Sequence, residues 1–444
     1  MFDTVEIPVW LLILAGVLAV VAALDRIVGP GLRWFLRRRM ERVVARVNAR
    51  LSRKIEPFRL MRRQDWVVRL VYDPKVLEAV ADHAAETGVP GEVALEKARA
   101  HAREIVPAFS ALFYFGVAMG AARRLSRILY RVRVGRVARE LEAVDPKAAV
   151  VFVMNHRSNM DYVLVTWLVS ARTALSYAVG EWARVWPLSR LIRAMGAYFI
   201  RRGGHSALYR RVLARYVQMA AEKGTVQALF PEGGLSLDGR VGKPKLGLLS
   251  YFWAMEDRDV VFIPVGLAYD RVLEDGLLLR AARTGQRRFR PRMLRLAWEV
   301  LRVLVSGARG RRHLFGTASA GFGAPVSMQA WRAAGGDLEG FAARLMTDVA
   351  AVVPVLPVPL VAAALADSVP VAELAARLRA AGAVLRLPPA GGEAAALARA
   401  EAEGRALLMA RGVLDAEGQP KAEALALLAF YAAPVRQRLE MAVG

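Results

Sequence analysis

Cysteine is absent from the 444 residues, and histidine occurs only five times, at 83, 101, 156, 205 and 313. Disulfides, thiolate metal sites and a cysteine nucleophile are therefore excluded, and no histidine-rich metal cluster is expected. Acidic residues are sparse as well: 40 Asp and Glu stand against 64 Lys and Arg, a formal charge of +24 at pH 7. That balance points to a negatively charged partner, whether nucleic acid, an anionic lipid surface or a phosphorylated substrate. A GC-rich genome also raises Arg and Ala, so the charge alone does not choose among them. Basic residues recur at helical spacing beside apolar ones, with no stacking platform of aromatics, which argues against nucleic acid.

What is present is apolar surface. Hydrophobic residues make up 55% of the chain and mean hydropathy is +0.29. The length suits one large domain or two ordinary ones. Ile7 to Leu24 carries no charge and spans roughly 27 Å as a helix, about the thickness of a hydrocarbon core. Asp3 and Glu6 precede it and a cluster of arginines follows, so residues 1–30 are expected to be a transmembrane anchor with the remainder in the cytoplasm. A cleaved signal peptide would want Lys or Arg before the run, and there is none.

Residues 31–140 read as a basic amphipathic region at the membrane surface. Within Leu32–Leu60 the apolar Trp34, Phe35, Met40, Val43, Val44, Val47 and Leu51 gather on one side with arginines between them. That pattern suits a helix on an anionic leaflet, and equally a helix on the protein body with a solvated arginine face. Pro107–Ala122 is apolar and aromatic but short for a crossing, so a buried or re-entrant interfacial helix is expected.

From residue 141 to 310 short β-branched runs alternate with helical ones, the pattern of an α/β fold with a mainly parallel sheet flanked by helices. Strands are expected at 149–154, 175–179, 197–201, 226–230 and 260–265, and helices at 161–170, 184–195 and 206–223. Active sites in such sheets gather where strands end. After the first strand comes Asn155-His156-Arg157-Ser158-Asn159-Met160-Asp161, where His156 and Asp161 can form a base and its orienting carboxylate. After the third come Arg201 and Arg202, then Gly203 and Gly204; they fit a bidentate phosphate clamp, or simply two solvated charges. After the fourth come Glu232, Gly233, Gly234 and Ser236, able to hold a polyol or oxyanion, or forming only a turn. After the fifth, Pro264 is expected to stop ladder pairing and shape a pocket wall. Residues 311–444 read as a C-terminal helical region, with helices at 371–382 and 393–411 and a last one, Leu425–Met441, broken near Pro434.

Taken in order, NHRSNMD, GAYFIRR, FPEGGLS and VFIPVGLAYD resemble the four blocks of the glycerolipid acyltransferase family, the first being its His-x4-Asp block. The finer spelling is similar to the membrane-bound bacterial glycerol-3-phosphate branch rather than the lysophosphatidate branch: His-Arg-Ser with Met-Asp-Tyr, the Phe-Ile-Arg-Arg ending, and Glu-Gly-Gly. Ala324–Ser327, Val352–Val361 and Leu428–Tyr431 resemble its downstream part. Leu237 stands where the family pattern has Arg, with Arg240 three residues later, and Ala432 or Ala433 stands where Asn is expected near Tyr431.

The resemblance implies the glycerolipid acyltransferase fold and transfer of a fatty acyl group from acyl-CoA or acyl carrier protein to the 1-hydroxyl of glycerol 3-phosphate, giving lysophosphatidic acid. The alternative is a 1-acylglycerol-3-phosphate acyltransferase making phosphatidic acid. His156 and Asp161 would be catalytic. Arg157, Ser158, Arg201, Arg202, Glu232, Gly233, Gly234, Ser236 and Pro264 would form the substrate site, with Lys243 and Lys245 as further phosphate contacts and backbone N–H groups of the His-Asp turn stabilising the oxyanion. No metal or cofactor is implied beyond the thioester co-substrate. The expected setting is the bacterial inner membrane, with phospholipid as a partner and no nucleic acid.

Overall fold

The computed structural model describes residues 8–9, 38, 41–42, 44–46, 48–51, 53–55, 60–134, 137–180, 184, 188–201, 206–285 and 315–443. The chain divides into two units, Met1–Leu51 and Ser52–Gly444. In the first, the described residues between 38 and 48 are helical. The anchor expected at 1–30, most of Leu32–Leu60, and the arginine-rich stretch after residue 285 lie outside the described residues.

The second unit is organised on eight strands: β1 (Arg131–Val134), β2 (Ala149–Met154), β3 (Ser176–Val179), β4 (Tyr198–Phe199), β5 (Gln227–Leu229), β6 (Val260–Tyr269), β7 (Thr317–Phe322) and β8 (Val326–Ser327). Their order is β1-β7-β6-β2-β5-β3-β4, with β8 also on β6. β6 runs antiparallel to β7 and β8, and every other pair is parallel. The sheet is thus mostly parallel, as expected. Five strands fall where the β-branched runs are. β1 is hidden in the sequence because its valines alternate with Arg131 and Arg133, and β7, Thr-Ala-Ser-Ala-Gly-Phe, has no β-branched apolar residue. Both lie outside residues 141–310 and extend the sheet beyond β6.

β2 is buried at all six positions, as a strand covered on both faces must be. Its alternation divides the core. Val150, Phe152 and Met154 face one apolar cluster, and Ala149, Val151 and Val153 face the other. Helices α1 (Arg63–Val71), α2 (Pro74–Thr87) and α3 (Gly91–Ile105) cover the second face. The first face is covered by α4 (Met119–Leu129) and α5 (Met160–Val169). Next in the chain, α6 (Ala207–Glu222) and α7 (Leu246–Trp253) return to the second face. After α8 (Asp275–Thr284), α9 (Leu338–Ala351) joins that face too, whereas α10 (Pro357–Asp367), α11 (Glu393–Ala410) and α12 (Leu425–Val443) complete the first. Local signals set these boundaries. In α2, Asp73 accepts a hydrogen bond from Lys75 N at 3.1 Å, Pro74 opens the helix and Gly88 (φ 66°) ends it.

Two expectations about proline are overturned. Pro264 does not stop pairing: it sits inside ten-residue β6, with Val153↔Pro264 and Met154↔Val265 continuing the parallel ladder to β2. On the other edge the partner changes from β8, at 261–262, to β7, at 265–269. A residue without an N–H fits at that changeover, where its carbonyl accepts from Gly323 N at 2.9 Å. Likewise α12 is not broken near Pro434 but runs through it. Pro434 has no N–H to offer the carbonyl of Phe430, one helical turn back, and that carbonyl lies instead against Gly239.

Pro107–Ala122 proves to be a helical turn, Ala111–Phe113, a π-helical segment, Tyr114–Ala118, and the start of α4. Among the described residues no single helix is long and apolar enough to cross a membrane. The bent pair of α10 with Val371–Ala380 passes by composition, but Pro357–Ala364 is buried in the core.

Candidate active site

The C-terminal ends of the parallel strands put the expected blocks on one rim. β2 delivers His156, and α5 begins at Met160, so that Asp161 lies in its first turn. Asp161 is fully buried, and its Oδ2 accepts from His156 Nδ1 at 2.9 Å, Arg157 N at 2.7 Å and Ser158 N at 3.0 Å. Its Oδ1 accepts from the Tyr269 hydroxyl at 2.7 Å. Because an ionised carboxylate only accepts, Nδ1 carries the ring proton, and Nε2 is left with the lone pair of a base. The ring is 4% exposed. It stacks on Phe230 with centroids 4.2 Å apart and meets the edge of Tyr162 at 5.4 Å.

The block after β5 is fastened to this turn from both sides. Glu232 Oε1 accepts from His156 N at 2.9 Å, its Oε2 from Gly242 N at 3.2 Å, and Ser236 N donates to His156 O at 2.9 Å. Burial pushes the Glu232 carboxyl up to about 7, against the two N–H donors and Arg157, which pull it down. With the folded value above the unfolded one, this group's contribution to stability is complete below about pH 4.5 and is lost as pH rises through about 7. We expect Glu232→Gln to remove a pH-dependent component on the order of 3 kcal/mol between those limits. Urea unfolding across pH 4–8 measures it, and equal pH slopes in the two proteins would contradict it.

Several expected substrate residues hold the site together instead. Buried Arg157 donates to the Gly239 carbonyl and lies 4.6 Å over the Phe430 ring, tying the His-Asp turn to α12. Ser158 Oγ donates to Glu274 Oε2 at 2.7 Å, and Asn159 N and Nδ2 reach Glu274 Oε1 at 3.2 and 3.0 Å. Ser236 Oγ shapes its own turn, donating to Arg240 O at 2.8 Å and accepting from Gly239 N at 3.0 Å. Arg240 pairs with Glu440 at 2.6 Å. Gly233 takes φ 67°, and the Lys245 side chain lies over it. Gly234 is buried in the same turn. Pro264 is buried within β6.

The oxyanion donors expected from the catalytic turn are already engaged. The N–H groups of His156, Arg157, Ser158, Asn159, Met160 and Asp161 bond to Glu232, Asp161, Asp161, Glu274, Ser158 Oγ and Ser158 O. The five residues between β2 and α5 are largely buried, so their N–H groups are satisfied by side chains of the turn itself and by Glu232 and Glu274.

At the end of β4, Arg201 does not stand open as a clamp. Its guanidinium is paired with Glu104 of α3, Nε to Oε1 at 2.7 Å, and lies 5.6 Å over Tyr209. Burial pushes the Glu104 carboxyl up, but hydrogen bonds from Arg201 and Arg184 outweigh it and hold it below the usual range. Arg202 lies outside the described residues. Lys243 and Lys245 are exposed.

Sequence reasoning missed Tyr269, Glu274 and Asn155 as parts of the site. Asn155 bridges β2 to β6 with two bonds to Leu267, at 3.0 and 2.7 Å. Tyr269 stands in the fourth block, whose spelling was the available signal, while Glu274 had none. Among the described residues no group of His, Asp and Glu is placed to hold a metal.

Residues 136–268 match the model of the family described as Acyltransferase. Over that stretch the chain is similar to the acyltransferase family. The first three strand-end blocks and most of the fourth lie within the matched residues. Proteins named glycerol-3-phosphate acyltransferase are similar to the chain. That of Pseudomonas entomophila is 29% identical over 300 residues, covering 65% of this chain and 35% of that protein. That of Alteromonas mediterranea is 31% identical over 208 residues, 44% of this chain and 25% of that protein. The Xanthomonas campestris protein is 28% identical over 301 residues, 66% and 33%. The chain thus spans about a third or less of the length of these relatives, between 25% and 35%. Among solved structures, the 1-acyl-sn-glycerophosphate (LPA) acyltransferase PlsC from Thermotoga maritima aligns with TM-score 0.30 at 16% identity, covering 52% of this chain and 75% of that chain. So slight a likeness carries no argument.

Proposed function

We propose that the chain transfers a fatty acyl group from a thioester, acyl-CoA or acyl carrier protein, to the 1-hydroxyl of glycerol 3-phosphate, giving lysophosphatidic acid and a free thiol. The observation that carries this reading is the His156–Asp161 pair, with Nδ1 held by a fully buried carboxylate and Nε2 left as the base. The names of the relatives support the acceptor. Nε2 takes the hydroxyl proton as the oxygen attacks the thioester carbonyl. The tetrahedral intermediate then collapses with cleavage of the C–S bond, and the imidazolium returns the proton to the leaving thiolate. No covalent acyl-enzyme is needed, in keeping with the absence of cysteine. Phe230 and Tyr162, packed on the imidazole, provide an apolar flank suited to an acyl chain.

For the phosphate we retain Arg201 and Arg202, with Lys245 beside the Gly233 turn as a further cation. Engaging Arg201 would exchange the Glu104 carboxylate for the substrate phosphate, a like-for-like charge pairing. Arg202→Ala is expected to raise KM for glycerol 3-phosphate about tenfold or more with kcat nearly unchanged. An unmoved KM would remove Arg202 from the phosphate site. The bacterial inner membrane remains the proposed setting, with the catalytic domain facing the cytoplasm. Supporting it, Leu112 and Val117 are 43% and 60% exposed on the helical run that leads into α4, and exposed Arg123, Arg124 and Arg127 follow on the same element.

The deciding experiment is an acceptor-by-donor matrix in liposomes: glycerol 3-phosphate and 1-acylglycerol 3-phosphate, each with acyl-CoA and acyl carrier protein. Preference for the acylated acceptor would replace this reading with the second step of phosphatidate synthesis.

A further inference from the structure

The two oxygens of Asp161 keep different company. Oδ2 takes three donors from its own turn, whereas Oδ1 takes the hydroxyl of Tyr269, from the last position of β6, at 2.7 Å. Tyr269 is fully buried, its ring 5.4 Å from that of Tyr130. A phenylalanine would fill nearly the same volume. What the hydroxyl adds is a donor on a carboxylate that already holds three. We propose that Tyr269 is a positioning residue that sets the proton affinity of the His156–Asp161 pair, and through it the pH range in which His156 works as a base. The proposal rests on the acyl-transfer reading above.

A hydrogen bond donated to a carboxylate favours its charged form. His156 and Asp161 are in direct contact, so they bind a proton as a unit, and the Tyr269 hydroxyl lowers the affinity of that unit. Burial, then the neighbouring Asp161 charge, pushes the Tyr269 hydroxyl well above its ordinary range, so it remains a donor throughout. Removing it leaves Oδ1 with less compensation, the pair holds its proton more tightly, and the base becomes available only at higher pH. Besides Tyr269, the charged and titratable groups facing the pair are Arg157 on the same turn, Tyr162 of α5 against the imidazole, Glu232 after β5, Glu274 after β6, and Tyr130 before β1. Burial pushes the Glu232 carboxyl up to about 7 and it accepts from His156 N, so its effect must be separated.

The test is the pH profile of kcat/KM for glycerol 3-phosphate, measured on the full chain in detergent. Tyr269→Phe is expected to move the acid limb up by about one pH unit, lowering activity about tenfold below the limb. Above the limb, activity should return close to the unsubstituted level. The same shift should appear in a Glu232→Gln background. Site-specific 3-fluorotyrosine at 269, a stronger acid of nearly the same shape, should move the limb down. A uniform loss at every pH with an unmoved midpoint would reduce Tyr269 to a packing role, and an unmoved limb with fluorotyrosine would overturn the proposal even if Tyr269→Phe fails to fold. A ¹⁵N NMR titration of His156 reads the same shift without turnover. An inactive protein whose His156 midpoint still follows residue 269 would therefore sink the acyl-transfer reading while leaving the Tyr269–Asp161–His156 coupling in place.

Discussion

His156→Ala should reduce acyl transfer to glycerol 3-phosphate at least about a hundredfold, since general-base catalysis supplies roughly 10²–10⁴. The loss should fall on kcat, because the imidazole is needed once the hydroxyl begins to give up its proton. The substitution is cleaner than its burial suggests. The two backbone bonds of residue 156, N–H to Glu232 and carbonyl from Ser236 N, do not depend on the side chain; what is lost is the ring stacked on Phe230 and one of the four donors to Asp161, which keeps Arg157 N, Ser158 N and the Tyr269 hydroxyl. Circular dichroism and urea unfolding should therefore report a folded protein. Asp161→Asn should be comparably inactive and less stable. An amide whose oxygen takes the place of Oδ2 still accepts from His156 Nδ1, Arg157 N and Ser158 N, but its N–H₂ then meets the Tyr269 hydroxyl donor in place of an acceptor, and the charge that balances an imidazolium is gone. If purified His156→Ala keeps more than a tenth of the activity, the base assignment is wrong.

Gly239→Ala is expected to be strongly damaging. Gly239 has φ 91°, and a Cβ there would overlap the Phe430 carbonyl oxygen and approach Arg157 Nη1 to 3.0 Å. Neither neighbour yields easily, as one is helix backbone and the other a buried guanidinium held by the Gly239 carbonyl and the Phe430 ring. Burial alone lowers the proton affinity of that guanidinium, so displacing it from its partners costs more than moving a surface arginine. Backbone strain and overpacking together suggest about 2–4 kcal/mol of destabilisation. Activity should fall too, because Arg157 follows directly on the base. Gly247→Ala is the matched control: a Cβ there meets nothing within 4 Å, and the position is helical, so it should be neutral or slightly stabilising. Urea denaturation of the two variants side by side decides the matter, and equal midpoints would mean that the loop at 239 yields freely.

Much of the core is written locally. The run Ala149–Val153 can only be a strand covered on both faces, and the helices that follow it are marked by apolar spacing and by caps such as Ser206, which accepts from Tyr209 N at 3.3 Å. The His-x4-Asp pairing is legible for the same reason: both residues lie on one short strand-to-helix turn, so their meeting depends on a few backbone angles and little else. The strands at the sheet's other side are not legible this way. Arg131 and Arg133 obscure β1, and β7 is made mostly of small residues, with Gly321 and its partner Gly266 letting the backbone at 352–353 pass close above them.

Read alone, the sequence specifies a mainly parallel α/β core, the His156–Asp161 pair on the rim of its sheet, and the order of the blocks around it. Only the tertiary structure decided what each block does. Glu232 grips the His156 backbone, Arg157 and Ser158 turn inward to Gly239 and Glu274, Arg201 is taken by Glu104, and Tyr269 reaches Asp161 across 108 residues of chain. A motif specifies which polar atoms are present. In a buried site every one of them must find a partner, and those partners come from segments distant in the chain that only packing brings within 3 Å.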